Sequence, residues 1–473
     1  VVLILMPAGD FDEAFVFFRT IGFSRLTLGF QGIPGELMTE NENKILQQQA
    51  ALGEATDRIK DFNGEYEQLN IAADYYETLL ERERVCRNFL KTQKVVLIEG
   101  WVPAEDSGVF QSIVSGVCGN DYHLEEEDVE KDSEDVPIKL KNNGFVAAFE
   151  DVTVMFSLPR YNEVDPTPLL MPFYMLFFGF MLGDAGYGLL LLLGTAFALT
   201  RFHLKEGMRR FIKFFFYLSF PTIIAGFVYG SMFGFPFFTP IVGADGTHKA
   251  ILDTNIDVLN MMILSVVVGV VQILCGIAIK GFILLRDGKI FDAIVDSFSW
   301  IVTLLACIGL MLGATGMTPA IVSTVSGWAL VISLIVLAAT QGRDSPTLGG
   351  KIGNGLYAVY GLSGYIGDFV SYTRIAALAL SGAYIAFSFN LMAQQLIPDG
   401  PMIPFIGIGV AKLVFGGLII VLGQTLNIAL GALGAYVHTC RLQYVEFFGK
   451  FYEGGGVPFT AFKLKNKFVN IKK

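Results

Sequence analysis

The stretch FVSYTRIAALALSGAYIAFSFNL, residues 369–391, is apolar enough to cross a membrane and contains one cation, Arg374. A predominantly apolar run of about 20 residues matches the hydrocarbon thickness of a bilayer. An arginine stays protonated at any physiological pH, and placing one at the bilayer centre costs roughly 2.5 to 3.5 kcal/mol on insertion scales. Arg374 is therefore the first candidate functional residue of this chain.

Composition also indicates a membrane protein. The chain is 53% hydrophobic and 16% charged with a net charge of -10, and its mean hydropathy is +0.54, which is typical of a polytopic membrane protein. Residues 1–165 contain most of the acidic side chains, including the run from His123 to Asp135, which we expect to be a solvated loop. Residues 166–446 contain nearly all the long apolar runs. The sequence predicts a polar N-terminal region and a membrane region.

Motifs for catalysis do not occur in the sequence. It contains no P-loop, no Ser/His/Asp arrangement and no HExxH or CxxC spacing. The five cysteines lie far apart, which favours reduced thiols over a disulfide framework. We therefore expect no catalytic residue, no cofactor, no metal site and no nucleic-acid partner.

The first residues predict a small α/β lobe over 1–30. Strands are expected at 1–6 and 24–30, with a helix over 10–20 between them. Because a strand-like run starts at Val1, we expect the sequence to begin within a domain and to be incomplete at its N-terminus.

Residues 31–92 predict a long helical arm, with one polar helix from Thr39 to Lys91. Its apolar stripe requires a partner helix, which belongs either to another subunit or to the missing N-terminal part, and we favour the missing N-terminal part. The stripe consists of Ile45, Leu52, Ile59, Phe62, Tyr66, Leu69 and Ala73.

A second α/β lobe is expected over 93–128, with a buried strand over 94–103 and a helix over 104–117. The proline-containing stretch 129–165 predicts a linker to the membrane region. Lobe and linker together form the region 93–165.

Seven apolar stretches follow, at 166–200, 211–235, 257–280, 290–314, 319–340, 369–397 and 404–446. The first is too long for one span and contains GDAGYG (183–188), whose glycines beside an aspartate disfavour a continuous helix. A break there gives eight membrane segments within 166–446, and the first two would form a tight pair. As one helix, 404–446 would be about 65 Å long, so we expect it and 369–397 to be long and tilted.

The distribution of basic residues predicts the orientation of the chain in the membrane, because loops rich in lysine and arginine stay on the cytoplasmic side. With the break at GDAGYG, the cation-rich loops lie on the side of the soluble region, and the opposite loops contain only Lys249. We therefore expect a multi-pass protein of the cell membrane, with the soluble domain, both termini and a tail over 447–473 in the cytoplasm. The cations outside that tail are Arg201, Lys205, Arg209, Arg210, Lys213, Lys280, Arg286, Lys289, Arg343 and Lys351.

Residue types alone leave three interpretations of Arg374 open. It can be a structural arginine that snorkels or pairs at the interface. It can be a barrier charge that attracts a carboxylate on a partner and stops ions from crossing, or it can be a ligand site in a transporter. Sequence spacing does not separate them.

Three blocks in the same order resemble a known family: PFYMLFFGFMLGDAGYG (172–188), SYTRIAALAL (371–380) and VHTCRLQYVEFFGKFYEGGGVPF (437–459). They resemble the signature blocks of the membrane stator subunit of rotary V/A-type ATPases, called subunit a or subunit I. The resemblance covers nearly the whole chain, including EGWVPAED (99–106), and the glycine-rich form without a long extracytoplasmic insertion is similar to the bacterial or archaeal branch.

The resemblance implies a mechanism. In this family two tilted helices face a rotating ring of proteolipids, each with an ion-binding carboxylate, and two offset half-channels give ions access to it from opposite sides. Arg374 matches the arginine that meets each ring carboxylate as it loses its ion and blocks leakage. Arg441 matches the second arginine, and the alternative is a structural residue at the cytoplasmic surface. The implied partners are the proteolipid c/K ring, the peripheral-stalk E/G dimers, a central-stalk cap subunit of d/C type, and membrane lipids. The resemblance also makes 1–30 the lobe distal to the membrane and 93–128 the proximal one.

Two positions differ from the eukaryotic relatives, in which a histidine follows the first arginine by eight residues and a glutamate precedes the second by ten. This chain has Gly382 and Gly431 there. Hydroxyls and amides would therefore line the half-channels. The sequence leaves both sodium ions and protons possible as the transported ion. The candidate lining residues are Ser371, Tyr372, Thr373, Ser381, Gln424, Thr425, Asn427, His438 and Glu446.

Asp184 is either a structural residue at the GDAGYG break or part of an ion path, and Lys412 is interpreted as a snorkelling lysine. Two rival classes stay open for the whole chain. An ion-coupled secondary transporter would need internal symmetry, for which the sequence has no repeated pattern. A purely structural membrane anchor would tolerate loss of Arg374.

Overall fold

The computed structural model divides the chain into two compact units, one formed by 1–100 with 461–473 and the other by 101–460. Apart from single residues and short pairs between them, the residues that it describes are 11–21, 34–129, 135–202, 204–236, 257–314, 319–341, 348–396 and 407–462.

The first unit is mostly helical. Its elements are α1 (Phe11–Thr20), α2 (Pro34–Asp61), α3 (Asn63–Cys86) and a hairpin of β1 (Leu90–Lys91) and β2 (Val96–Leu97). The helix predicted over 10–20 is confirmed. The strands predicted at 1–6 and 24–30 lie outside the described residues.

The predicted arm helix is two helices instead of one. Phe62 separates α2 from α3, and α3 ends at Cys86, so the prediction of one helix to Lys91 was wrong at both points. Asn63 and Gly64 follow the junction, and both residue types are weak in helix interiors. All seven residues of the predicted stripe are exposed along these helices.

The expected buried strand over 94–103 is also wrong. Only Val96 and Leu97 pair, as β2, and the apolar side chains from Val95 to Ile98 are exposed. No other described part of the chain covers the faces of the β1–β2 hairpin, so its apolar side chains are not buried. The helix predicted over 104–117 is confirmed as a 3-10 turn (Ala104–Asp106) followed by α4 (Ser107–Cys118).

The second unit contains the membrane helices. Its further helices are α5 (Glu150–Phe156), α6 (Thr167–Leu182), α7 (Ala185–Arg201), α8 (Glu206–Tyr229), α9 (Val258–Arg286), α10 (Ile290–Ala293), α11 (Ser299–Ala314), α12 (Ala320–Thr340), α13 (Leu348–Ser371), α14 (Thr373–Leu396) and α15 (Gly407–Arg441). A π turn (Ile294–Phe298) joins α10 to α11, and another (Leu442–Phe447) with a 3-10 turn (Phe448–Lys450) follows α15. Its short strands are β3 (Pro137–Ile138), β4 (Ser231–Met232), β5 (Phe235–Pro236), β6 (Ile241–Val242), β7 (His248–Lys249) and β8 (Val457–Pro458).

Six helical stretches in the described part of the chain are long and apolar enough to cross a membrane. They are Glu206–Tyr229, Val258–Arg286, Ile290–Ala314, Ala320–Thr340, Gly349–Gln395 and Val414–Lys450. Large apolar side chains along these helices are exposed, for example Trp328 at 67% and Ile321 at 76%. Exposed apolar faces of this extent are stable in lipid and not in water. The chain is a polytopic helical membrane protein.

The predicted break at GDAGYG is confirmed. Helix α6 ends at Leu182, Gly183 adopts the left-handed conformation, and Asp184 caps α7. The expected tight pairing of the two halves is wrong, because each half packs along α8 instead. Gly226 of α8 makes this approach possible, since a Cβ there would lie 2.0 Å from the backbone nitrogen of Ala185.

The long segments near the C-terminus also differ from expectation. The stretch 369–397 is not one helix, because α13 ends at Ser371 and α14 begins at Thr373. The last segment is helical to Arg441 and then widens into the π turn, where the sequence predicted one helix to 446.

The end of the chain pairs with the region before the membrane. Strand β8 runs parallel to β3, and Gly456 bridges Leu158. Nε of Arg160 donates to the carbonyl of Gly454, 3.0 Å away. Residues 451–460 are therefore held against residues 137–165 at the polar end of α6.

Candidate functional site

Arg374 is the second residue of α14 and follows the break at Tyr372. The backbone N–H of Tyr372 donates to the carbonyl of Phe369 (3.2 Å), and its own carbonyl accepts from the N–H of Ile375 (3.0 Å). Bonds of this spacing tighten the backbone relative to an α-helix. The direction of the Arg374 side chain therefore depends on how this turn is held.

The guanidinium of Arg374 has unused donor capacity. The residue is half-buried, and its Nη1 is buried without a hydrogen-bond partner among the described residues. A buried donor on a charged group is costly unless an acceptor is supplied. The geometry therefore suits an acceptor that lies outside the described chain.

Two titratable side chains from the end of α15 and the following turn lie within electrostatic reach of Arg374. They are His438 and Glu446. Nδ1 of His438 and Oε2 of Glu446 are buried and have no partner in the described ranges. Ser371 is close enough to interact with the Glu446 carboxyl. The structure thus brings four predicted site residues together: Ser371, Arg374, His438 and Glu446.

Arg441 lies beside this group at the last residue of α15. Its side chain is exposed and within electrostatic reach of His438. Both arginines therefore act on the same imidazole, but only Arg374 has a buried nitrogen without a partner in the described part of the chain.

Three of the predicted lining hydroxyls donate hydrogen bonds to other groups of this chain. Ser371 donates to the carbonyl of Gly367 (3.1 Å) and Thr373 to that of Val370 (2.7 Å). Tyr372 is fully buried and donates to Oε1 of Gln272 (2.7 Å).

A second polar group lies further along α14 and α15. Nδ2 of Asn427 donates to the hydroxyl of Tyr187 (2.8 Å), which in turn donates to Oε1 of Gln424. Nε2 of Gln424 donates to Oδ1 of Asn390 (2.8 Å), and Nδ2 of Asn390 donates to the carbonyl of Phe233 (2.7 Å). These amides are buried, and Asn390 is about 24 Å from Arg374 along the axis of α14.

Not every predicted residue joins a group. Ser381 and Thr425 are exposed, and the Thr425 hydroxyl donates to the carbonyl of Val421 (2.6 Å). The side chain of Lys412 lies outside the described residues.

Asp184 makes contacts typical of a structural residue. Its Oδ1 accepts from the backbone N–H groups of Gly186 (2.9 Å), Tyr187 (3.1 Å) and Phe233 (2.9 Å). Its Oδ2 accepts from the hydroxyl of Ser231 (2.8 Å) and the N–H of Gly234 (3.0 Å). The carboxylate caps α7 and ties the turn after α8 to it.

A cavity of about 290 Å³ is lined in part by residues 361–368 of α13, which precede Arg374 in the chain, whereas Asn390 of the amide group follows it on α14. It is lined by side chains of both charges, including Lys280, Asp296, Asp368 and Lys450. Lys450 pairs with Asp368 at 2.6 Å. This cavity is close to Glu446, which Asp368 influences electrostatically.

Sequence reasoning missed several of these polar residues. They are Gln272, whose Nε2 donates to Oε1 of Gln443 (2.8 Å), Gln443 itself, Tyr187, Asn390 and Asp368. Buried amides and carboxylates inside apolar helices were the signal that could have found them, because a polar group is costly in a membrane unless it has a partner or a function.

Fold and site together define a class: a polytopic helical membrane protein with an incompletely paired arginine at a helix break. Comparison with known proteins identifies the family. Residues 37–238 match the V-type ATPase 116kDa subunit family.

Relatives match over most of the chain. The A-type ATP synthase subunit I of Methanocaldococcus jannaschii is 30% identical, covering 95% of this chain and 67% of the relative. The A-type ATP synthase subunit I of Pyrococcus horikoshii is 31% identical, covering 93% and 65%. The V-type ATP synthase subunit I of Borreliella burgdorferi is 25% identical, covering 90% and 69%. The chain belongs to this V-type ATPase 116kDa subunit family, and it spans about two thirds of the length of these relatives.

Proposed function

We propose that this chain is the stator subunit of the membrane sector of a V/A-type rotary ATPase and that Arg374 is its barrier charge. The observation that carries the proposal is the buried Nη1 of Arg374, which has no acceptor among the described residues. A carboxylate on a passing proteolipid would supply that acceptor. Pairing with the guanidinium would stabilise the carboxylate in apolar surroundings after it releases its ion, and the fixed charge would repel cations that approach directly.

Two polar groups, one with residues before Arg374 on α13 and one with a residue after it on α14, support a pair of offset half-channels. One is the buried amide group that contains Gln424, Asn427 and Asn390. The other is the cavity that contains Asp368 and Lys450, next to Glu446. An ion that enters by either route would reach the ring near Arg374, and the arginine would separate the two routes.

The proposed topology has eight membrane segments. The six long helical stretches are supplemented by the shorter apolar helices α6 and α7. With both termini and the soluble region on the cytoplasmic side, Arg374 lies nearer the cytoplasm than the amide group. The ion would be a proton or sodium, according to the site on the ring, and the chain itself would catalyse no reaction.

The soluble region would couple the membrane sector to the stalks. Among the residues that the structure describes, nothing covers the stripe on α2 and α3, which supports a second helix of the arm beside it. The lobes over 1–30 and 93–128 would contact the peripheral-stalk E/G dimers, and the soluble region would also contact the central-stalk cap above the ring. The membrane region would lie beside the proteolipid ring and membrane lipids.

The test is ATP-driven uptake of sodium and of protons into vesicles that carry the intact complex, measured together with ATP hydrolysis. The wild type is compared with Arg374→Ala, Arg374→Lys and the control Arg209→Ala, which removes an exposed cation at the start of α8. We expect Arg374→Ala to assemble and to lose transport, and Arg209→Ala to transport as the wild type does.

Undiminished transport by Arg374→Ala would overturn the proposal, and the chain would then act as a structural anchor. The ion that the wild type accumulates identifies the substrate.

A further inference from the structure

A glycine of α9 accommodates the ring of Tyr372. A Cβ added to Gly269 would lie 2.2 Å from Cγ of Tyr372 and 2.4 Å from its Cδ2, far inside van der Waals contact. The Tyr372 ring also packs edge to face against Phe177 of α6, with 5.8 Å between ring centres. The residue that separates α13 from α14 is therefore inserted between two neighbouring helices.

The hydroxyl of Tyr372 starts a buried chain of hydrogen bonds. It donates to Oε1 of Gln272 (2.7 Å), and Nε2 of Gln272 donates to Oε1 of Gln443 (2.8 Å). All three side chains have no exposed surface. The chain connects the turn before α14, helix α9 and the π turn after α15.

Two of these elements, the turn before α14 and the π turn after α15, adjoin the Arg374 and Glu446 side chains. Arg374 lies two residues after Tyr372, and Glu446 lies on the π turn that also contains Gln443. The hydrogen-bond chain therefore holds the backbone two residues before Arg374 and three residues before Glu446. Helix α9 contributes Gly269 and Gln272 one turn apart, on the same face.

We propose that Gly269, Tyr372 and Gln272 are positioning residues that set where the guanidinium of Arg374 lies relative to Glu446. This inference rests on the proposed stator function. None of the three would touch the ion or the ring. They act through the turn at Tyr372, because a shift of about 1 Å at a reacting group can lower a rate on the order of 100-fold.

Two variants separate the two parts of this arrangement. Gly269→Ala displaces the ring, because its added methyl group overlaps Tyr372. Tyr372→Phe keeps the ring in place but removes the donor to Gln272. The matched control is Gly194→Ala in α7, where an added Cβ would meet nothing within 4 Å.

The measurements are ions transported per ATP hydrolysed and passive ion leak, both per assembled complex in vesicles. A residue that only stabilises the fold changes the amount of complex and leaves both quantities unchanged. We expect Gly269→Ala to lower the ratio of ions to ATP on the order of tenfold and to raise the leak. Tyr372→Phe should lower the ratio by about twofold to tenfold, as expected for one lost hydrogen bond. Gly194→Ala should match the wild type.

Wild-type ratios in Tyr372→Phe and Gly269→Ala would overturn the positioning role, and so would a loss of complex at an unchanged ratio. If Gly269→Ala does not assemble, Tyr372→Phe decides by itself. Arg374→Ala is measured in the same preparation. Coupled transport by that variant would overturn the stator function itself, whereas a loss confined to Arg374→Ala would overturn only the positioning role.

Discussion

The ammonium of Lys450 lies 2.6 Å from Oδ2 of Asp368 and 4.3 Å from the centre of the Tyr365 ring. Both charged side chains are about one-fifth exposed. The pair joins the turn after α15 to α13, three residues before the end of that helix. It therefore fixes one wall of the cavity beside Glu446.

Replacing Asp368 by asparagine should destabilise the membrane unit. The substitution leaves the Lys450 ammonium partly buried without its counter-ion, at a cost of about 1 to 3 kcal/mol. Thermal unfolding of the full chain in detergent should show a lower midpoint. The exchanged pair Asp368→Lys with Lys450→Asp should recover part of the loss, and an unchanged midpoint in Asp368→Asn would show that the pair adds no stability.

Asp184→Asn should reduce assembly without changing ion coupling. An amide nitrogen would replace one acceptor oxygen, so that donors such as the Ser231 hydroxyl and the Gly234 N–H would face another donor. We expect a loss of about 2 kcal/mol. The check is thermal stability together with ions transported per ATP in the complex that remains. A reduced ratio in fully assembled complex would instead place Asp184 in an ion path.

Gly226→Ala should prevent α7 from packing on α8. The added methyl group would lie 2.0 Å from the backbone nitrogen of Ala185, which is helix backbone and not a movable side chain. Overpacking of this kind costs about 1 to 3 kcal/mol or more. The yield of folded protein after purification and its unfolding temperature report the effect. Gly194→Ala has open space around it and serves as the comparison, with an expected midpoint equal to or slightly above the wild type.

The carboxyl of Glu150, at the start of α5 before the first membrane helix, should make stability depend on pH. Burial raises its pKa above the ordinary 4.5, although a hydrogen bond from Asn142 opposes the shift. Because the folded protein then holds this proton more tightly than the unfolded chain does, the contribution favours folding at low pH and is lost as pH rises through the raised pKa.

Glu150→Gln removes this titration and keeps an oxygen for Asn142. The unfolding temperature of the variant minus that of the wild type should therefore become more positive between about pH 4 and about pH 7. The same difference at both pH values would contradict the assignment.

Sequence reasoning located features that depend on local residue types. The glycines and the aspartate of GDAGYG are poor in a continuous helix, and the structure breaks there. It did not locate the second break at Tyr372, because tyrosine and its neighbours are acceptable in a helix. At that break the ring of Tyr372 lies against Gly269, which is distant in sequence and has no side chain that would occupy the space of the ring.

The amino-acid sequence by itself determined the membrane class and indicated a polar helical arm with an apolar stripe and Arg374 as the first candidate residue, because composition and periodicity report burial, amphipathic faces and the cost of a charge in lipid. Only the tertiary structure decided which polar groups meet. Tyr372 and Gln272 are 100 positions apart, and Gln272 and Gln443 are 171 apart. Such pairs depend on which helices pack together and at which register, and local sequence patterns contain no record of either.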